Sequence, residues 1–156
     1  MEGVITKLVG GIIYALIMMG YITSVDQLHG EVNPNDLQYL SGAMEIENGS
    51  NGDRCLLLTG SVILNRLNSP KWDGNTIEEV VLARDYGYQQ YASVTRNGFR
   101  NKKASERTVL LAKYLLLYGS ICPSNVLFQG QNPHAGSGIY ERIDVPYQTD
   151  EYFCYE

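Results

Sequence analysis

The chain opens with a long apolar run. LVGGIIYALIMMGYITSV, residues 8–25, carries no charge, with Lys7 before it and Asp26 after it. A run of that length is about the minimum for a membrane span. It also resembles a secretory signal core behind one positive charge, although Glu2 offsets Lys7 and no small-x-small cleavage site follows. The competing expectation is a buried helix. Residues 1–25 are therefore expected to be a signal peptide or membrane anchor, touching a membrane through residues 8–25. Residues 26–35 then read as a polar linker, and residues 36–156 as the functional domain.

The next segments change period. In NPNDLQYLSGAMEIENG, Asn33 is placed to cap a helix, Pro34 suits its first turn and Gly49 its end. At about 100° per residue, Leu37, Leu40 and Met44 share one face. Glu47 falls at the edge of that face, whereas Glu45 points to the polar side. SNGDRCLLLTGSVILNRLNSP predicts a second helix, with Ser50 and Asp53 as a capping-box start and Pro70 as its far limit. From Cys55 to Leu67 it is apolar nearly all round, so it should be central. Asn65 and Arg66, at its end, are expected to bond neighbouring backbone or a carboxylate. TIEEVVLA gives a short helix capped by Thr76 and Glu79, and SERTVLLAKYLLLYGS a strong one from Ser105 to Gly119. The Gly- and Tyr-rich stretch between them reads as a loop or an irregular strand pair.

After Pro123 the pattern shortens. NVLFQ, GIYERI and EYFCY predict short strands broken by Gly, Pro and Asn. Helices first and strands late make an α+β class, with a mainly helical core and a small C-terminal antiparallel sheet.

Composition narrows the function. The net charge of −5 and the absence of a Lys/Arg run argue against nucleic acid as a partner. The 12 tyrosines suit either core packing or a sugar-lined cleft. Cys55, Cys122 and Cys154 lack CxxC spacing, which speaks against structural zinc. No GxSxG elbow, HExxH motif, phosphate loop or dinucleotide fingerprint is present. His29 lies in the linker and His134 in a loop, and both read as surface residues. What remains is carboxylate chemistry. A glutamate at the inner end of a helix, beside a polar turn, can be partly buried, and burial keeps a carboxyl protonated and able to donate. Protonating a glycosidic oxygen requires such a group.

One composite pattern is more specific. Glu47 followed by NGSNGD, then Gly60, Val62, Leu64, Asn65 and Arg66, then SPKWDGNTIEEVV, then Gln90–Tyr91, resembles the bacterial cell wall hydrolase family that includes the spore-cortex-lytic enzymes and related phage and clostridial proteins. NVLFQGQNPHAGSGIYE and the closing EYFCY look like that family's C-terminal strands. The likeness runs over residues 37–155.

The resemblance implies a lysozyme-like fold, an extracytoplasmic location and cleavage of the β-1,4 bond between N-acetylmuramic acid and N-acetylglucosamine in peptidoglycan, without a cofactor or metal. It assigns the catalytic acid to Glu47. It puts Gln90 and Tyr91 across the cleft, with Asn65, Gln129 and Tyr140 as further substrate contacts. A lytic transglycosylase needs only one glutamate, because the sugar's own C6 hydroxyl attacks. A hydrolytic muramidase needs a second carboxylate, for which Asp85, Glu141 and Asp53 are the candidates. A non-catalytic peptidoglycan-binding or envelope protein of the same fold is the third expectation.

Overall fold

The computed structural model describes residues 2–72, 74–85, 88–89, 91 and 103–156. Helices α1 (Glu2–Met18), α2 (Pro34–Asn48), α3 (Gly52–Leu67), α4 (Ile77–Leu82) and α5 (Glu106–Tyr118) come first. A two-strand ribbon, β1 (Arg84–Asp85) and β2 (Tyr88–Gln89), lies between α4 and α5. Strands β3 (Val126–Gly130), β4 (Gly138–Ile143) and β5 (Glu151–Tyr155) form an antiparallel sheet in the order β3-β5-β4. The last strand thus lies between the other two, and the mixed class with a late antiparallel sheet is as the sequence pattern predicts.

Local chemistry sets most helix ends. The Asn33 side chain accepts from the backbone N–H groups of Asn35 and Asp36, and Pro34 occupies the first helical position of α2. Thr76 accepts from the Glu79 N–H, and Ser105 from that of Thr108. The α2–α3 turn differs from its expected form. Helix α3 starts at Gly52, which has φ +84°, and its N-cap, Asn51, makes no side-chain capping bond. Asn51 instead donates to the Asn48 side-chain oxygen at 2.7 Å, closing the turn through its amide.

Helix α3 is central because it has two apolar stripes. Cys55, Leu58 and Val62, at i, i+3 and i+7, face the sheet and pack with Cys122, Val126 and Phe153. Leu56, Leu57, Ile63 and Leu64 face the helical core shared with α2, α4 and α5. Gly60 of α3 faces Met44 of α2 and Leu115 of α5. A Cβ there would lie 2.4 Å from Leu115 Cδ1 and 2.8 Å from Met44 Sδ. Burial lifts the Cys55 thiol to about 12, and Cys55, Cys122 and Cys154 are all free and buried.

Helix α1 docks on α5 through its Gly10–Ile17 side. The Tyr114 hydroxyl donates to the Gly10 carbonyl at 3.2 Å, Tyr14 and Tyr114 rings meet at 6.1 Å, and Gly10 lies against Tyr118. Its other face leaves Val4, Ile5, Leu8, Ile12 and, just beyond the helix, Met19 and Tyr21 exposed. Among the described residues no helix is long and apolar enough to cross a membrane.

Candidate functional site

Glu47 is the penultimate residue of α2 and half-buried. Its position at a helix C-terminus, the negative end of the backbone dipole, already disfavours its charge. Burial pushes its pKa above the usual carboxylate range, and the Arg66 guanidinium pulls in the opposite direction. One of its oxygens, Oε1, is buried without a hydrogen-bond partner. Buried polar atoms are nearly always paired, so such an atom marks a place for water or ligand.

Arg66 comes from the last turn of α3 and is 4% exposed. Its Nε donates to the Leu127 carbonyl at 2.7 Å, which ties α3 to β3. Its guanidinium lies 4.1 Å from the centre of the Trp72 ring and 5.2 Å from that of Tyr91, a cation within reach of two aromatic rings. Trp72 in turn meets the Phe128 ring at 6.1 Å. Tyr91 is 1% exposed; burial raises its pKa, and the charges of Arg66 and Glu47 both act on it. Gln129 Oε1 is, like Glu47 Oε1, buried and unpartnered, whereas Arg66 Nη1 and the Tyr91 hydroxyl, which have no close partner either, lie near enough for Arg66 to lower the Tyr91 pKa. Gln129 belongs to β3, two residues beyond the carbonyl that Arg66 binds.

Three of the expected site residues, Glu47, Tyr91 and Gln129, therefore carry unpartnered buried polar atoms. Gln90 lies outside the described residues. Asn65 is used elsewhere: its side-chain nitrogen donates to the carbonyls of Pro123 at 2.8 Å and Val126 at 3.0 Å, fastening α3 to the start of β3. That is the backbone-bonding role expected for a polar residue at the end of a buried helix, and it occupies the Asn65 side-chain nitrogen. Tyr140 packs edge-on against Tyr155 at 5.7 Å, on the sheet side of α3. Its ring takes part in packing beside the sheet.

Glu45 corrects a second expectation. It was expected to be solvated, yet its Oε2 accepts from Ser105 N–H at 3.2 Å, Ser105 Oγ at 3.1 Å and Thr108 Oγ1 at 2.5 Å. It is an acidic cap on the N-terminus of α5, supplied by a neighbouring helix. Glu45→Ala is expected to cost about 1–2 kcal/mol, a fall in Tm of roughly 2–8 °C, without loss of any Glu47-dependent activity. Thermal melts and an activity assay on that one variant check both halves.

Two residues that received no role from the sequence complete the site. Trp72 is the chain's only tryptophan and lies within the SPKWDGNTIEEVV stretch. Glu151 opens β5, opposite Ile143 of β4. Burial pushes its carboxyl up, the Asn48 amide pulls it down, and the Glu47 charge pushes it up further. The charges of Glu47 and Glu151, from distant parts of the chain, thus oppose one another, while the Asn48 amide donates to Thr59 Oγ1 at 2.8 Å. Among the described residues no His/Cys/Asp/Glu group is arranged to hold a metal ion.

The arrangement is a half-buried carboxyl that resists ionisation, a fixed guanidinium beside it, an aromatic wall and a second carboxyl. It is equipped for proton transfer to and from oxygen. No protein-family model matches the chain, and no curated protein or solved structure matches it.

Proposed function

We propose that this chain is a peptidoglycan glycosidase, cleaving the β-1,4 bond between N-acetylmuramic acid and N-acetylglucosamine with Glu47 as its acid. The observation that carries this reading is the state of Glu47. It is a carboxyl whose pKa burial raises, with one buried oxygen unpartnered, near other buried polar atoms that lack partners. Such a carboxyl protonates the bridging oxygen as the bond to C1 breaks. Trp72, which is half-buried beside Arg66, would supply a flat face on which a sugar ring can pack. The helical core with a small antiparallel sheet beside it is compatible with a lysozyme-like fold.

Glu47 alone supports a lytic transglycosylase. The substrate's C6 hydroxyl attacks C1, its proton passes to the Glu47 carboxylate, and a 1,6-anhydro end forms. A hydrolytic muramidase is the second reading, favoured by one observation: Glu151 stands close enough to Glu47 to feel its charge. An extracytoplasmic place of action follows from the substrate. The exposed apolar face of α1 would suit contact with an envelope membrane.

Incubating the purified chain with isolated cell walls tests the reading. Soluble glycan fragments with new ends at the muramic acid residue are expected by mass spectrometry. A protein that pellets with the walls and releases nothing is a binding protein, and the proposal fails.

A further inference from the structure

We propose that α1 is a retained, in-plane membrane anchor: one face of the helix belongs to the protein core, and the opposite face lies in the surface of a lipid bilayer without crossing it. This gives the membrane contact of α1 a geometry, and it stands independently of the chemistry assigned to Glu47.

The inner face is part of the folded unit. Ile17, Ile22 and Leu28 are buried in the same cluster as Leu110, Leu111 and Leu115 of α5. The backbone is bonded there as well. The Tyr114 hydroxyl donates to the Gly10 carbonyl at 3.2 Å, Arg107 Nη2 to that of Ile17 at 3.4 Å and Lys113 Nζ to that of Val25 at 3.3 Å. All three donors belong to α5. Cleavage after residue 25 would strip this side of α5 of its cover, so residues 1–25 are not a detachable leader.

The outer face is the opposite one. At about 100° per residue, Val4, Ile5, Leu8 and Ile12 share one side of the helix, across from Gly10 and Ile17. All four are exposed. Met19, whose N–H donates to the Ala15 carbonyl at 2.9 Å, extends the stripe by a turn. A helix that is apolar on every side is normally covered on every side, by a core or by lipid. The protein covers only one side of α1.

Lipid fits the open side better than a protein does. Of the ten large apolar side chains exposed among the described residues, eight lie between Val4 and Tyr21. A stable protein interface takes about 20–30 residues a side, well beyond what this stripe offers. An interfacial helix needs only its own apolar face. Lys7, the one charge between Gly3 and Val25, falls on the flank between the two faces. There a long cationic side chain reaches the headgroups. Tyr21, exposed at the end of the stripe, has the amphipathic ring that settles at the same depth. Crossing is excluded by length and by packing. The 17 residues of α1 make about 25 Å of helix, short of a hydrocarbon core of roughly 30 Å, and α5 occupies the Gly10–Ile17 side.

Flotation of the full chain with phosphatidylcholine vesicles provides the test. The wild type is expected to float at low and high salt alike, because the contact is apolar. The double variant Ile5→Asp, Leu8→Asp is expected to bind at least about tenfold more weakly with an unchanged Tm, since both side chains are largely exposed. Lys7→Gln, on the flank, is expected to float as the wild type does. Ile17→Ala is expected to lower Tm by on the order of 5–15 °C, as a core residue should. The intact mass of protein recovered from membranes should include residues 1–25. A wild type left in solution, flotation lost at high salt, a mature chain cut near residue 25, or Ile17→Ala melting with the wild type would each overturn the proposal. A lipid-free dimer that the double variant dissociates would overturn it too, and make the stripe an interface between two copies. None of these readouts involves cell-wall cleavage, so this proposal and the glycosidase reading fail separately.

Discussion

Glu47→Gln is expected to abolish cell-wall cleavage and, at neutral pH, to make the protein more stable. Glutamine keeps the shape of the side chain but has no proton to give, so the loss of rate should reach about 10²–10⁴-fold. The gain in stability comes from the same burial that suits Glu47 to be an acid. Its folded pKa lies above its unfolded value, which is near 4.5. Below that unfolded value the carboxyl is neutral in both states and costs nothing. As pH rises through the folded value the native protein must either hold a buried charge or keep a proton the unfolded chain has released, and stability is lost. Glutamine removes that cost. Thermal melts should therefore show a higher Tm for the variant at pH 7, by on the order of 2–4 °C for each kcal/mol regained, and no difference near pH 4. Equal melting at both pH values would mean that the environment of Glu47 does not oppose its charge. Higher stability in the inactive variant is the usual mark of a strained functional group.

The same residue shows what a sequence can reveal. Helical phase on α2 and the position before a polar turn were enough to separate Glu47 from Glu45, because both are local properties. The caps at Asn33, Thr76 and Ser105 are local too, and they stand where the sequence puts them. The fate of Glu45 was not legible. Its phase correctly turns it from the main face of α2, but the N-terminus of α5, which arrives there, is 60 residues away in the chain. Asn65 was legible as a helix-end polar group that bonds backbone, whereas its assignment to substrate came from resemblance alone.

Glu151 was the hardest to see. Nothing in EYFCYE distinguishes it from a strand-surface glutamate. Its surroundings depend on β5 lying between β3 and β4 and on Phe153 being driven into the Cys55 stripe of α3. Arg66 was legible as a buried cation needing partners, but the aromatic rings around it were not. Trp72 and Tyr91 reach it from either side of α4, a packing of three separate segments. The partial burial of Glu47 was thus readable from local phase, and the groups that act on it through space were not.

Arg66 consequently makes the second large prediction, and two variants separate its roles. Arg66→Met keeps much of the side-chain volume but removes the charge and the Nε donor. The Leu127 carbonyl, paired at 2.7 Å in the wild type, loses that donor in the interior, and the cation within reach of the Trp72 and Tyr91 rings is gone. The expected cost is about 2–4 kcal/mol, a fall in Tm on the order of 5–15 °C. The charge has a separate consequence. Arg66 holds the pKa of Glu47 down against burial, so its removal raises that pKa further. Activity that needs protonated Glu47 falls as pH rises through this value, and the alkaline limb of the pH–rate profile should move to higher pH in Arg66→Met. Arg66→Lys restores the charge without the planar guanidinium or the same reach to Leu127. It should remain destabilised while its alkaline limb returns toward the wild-type position. A limb that stays fixed in both variants while both lose stability would make Arg66 a brace between α3 and β3 and nothing more. A limb that moves with the charge alone would show that the guanidinium sets the pH at which Glu47 can act.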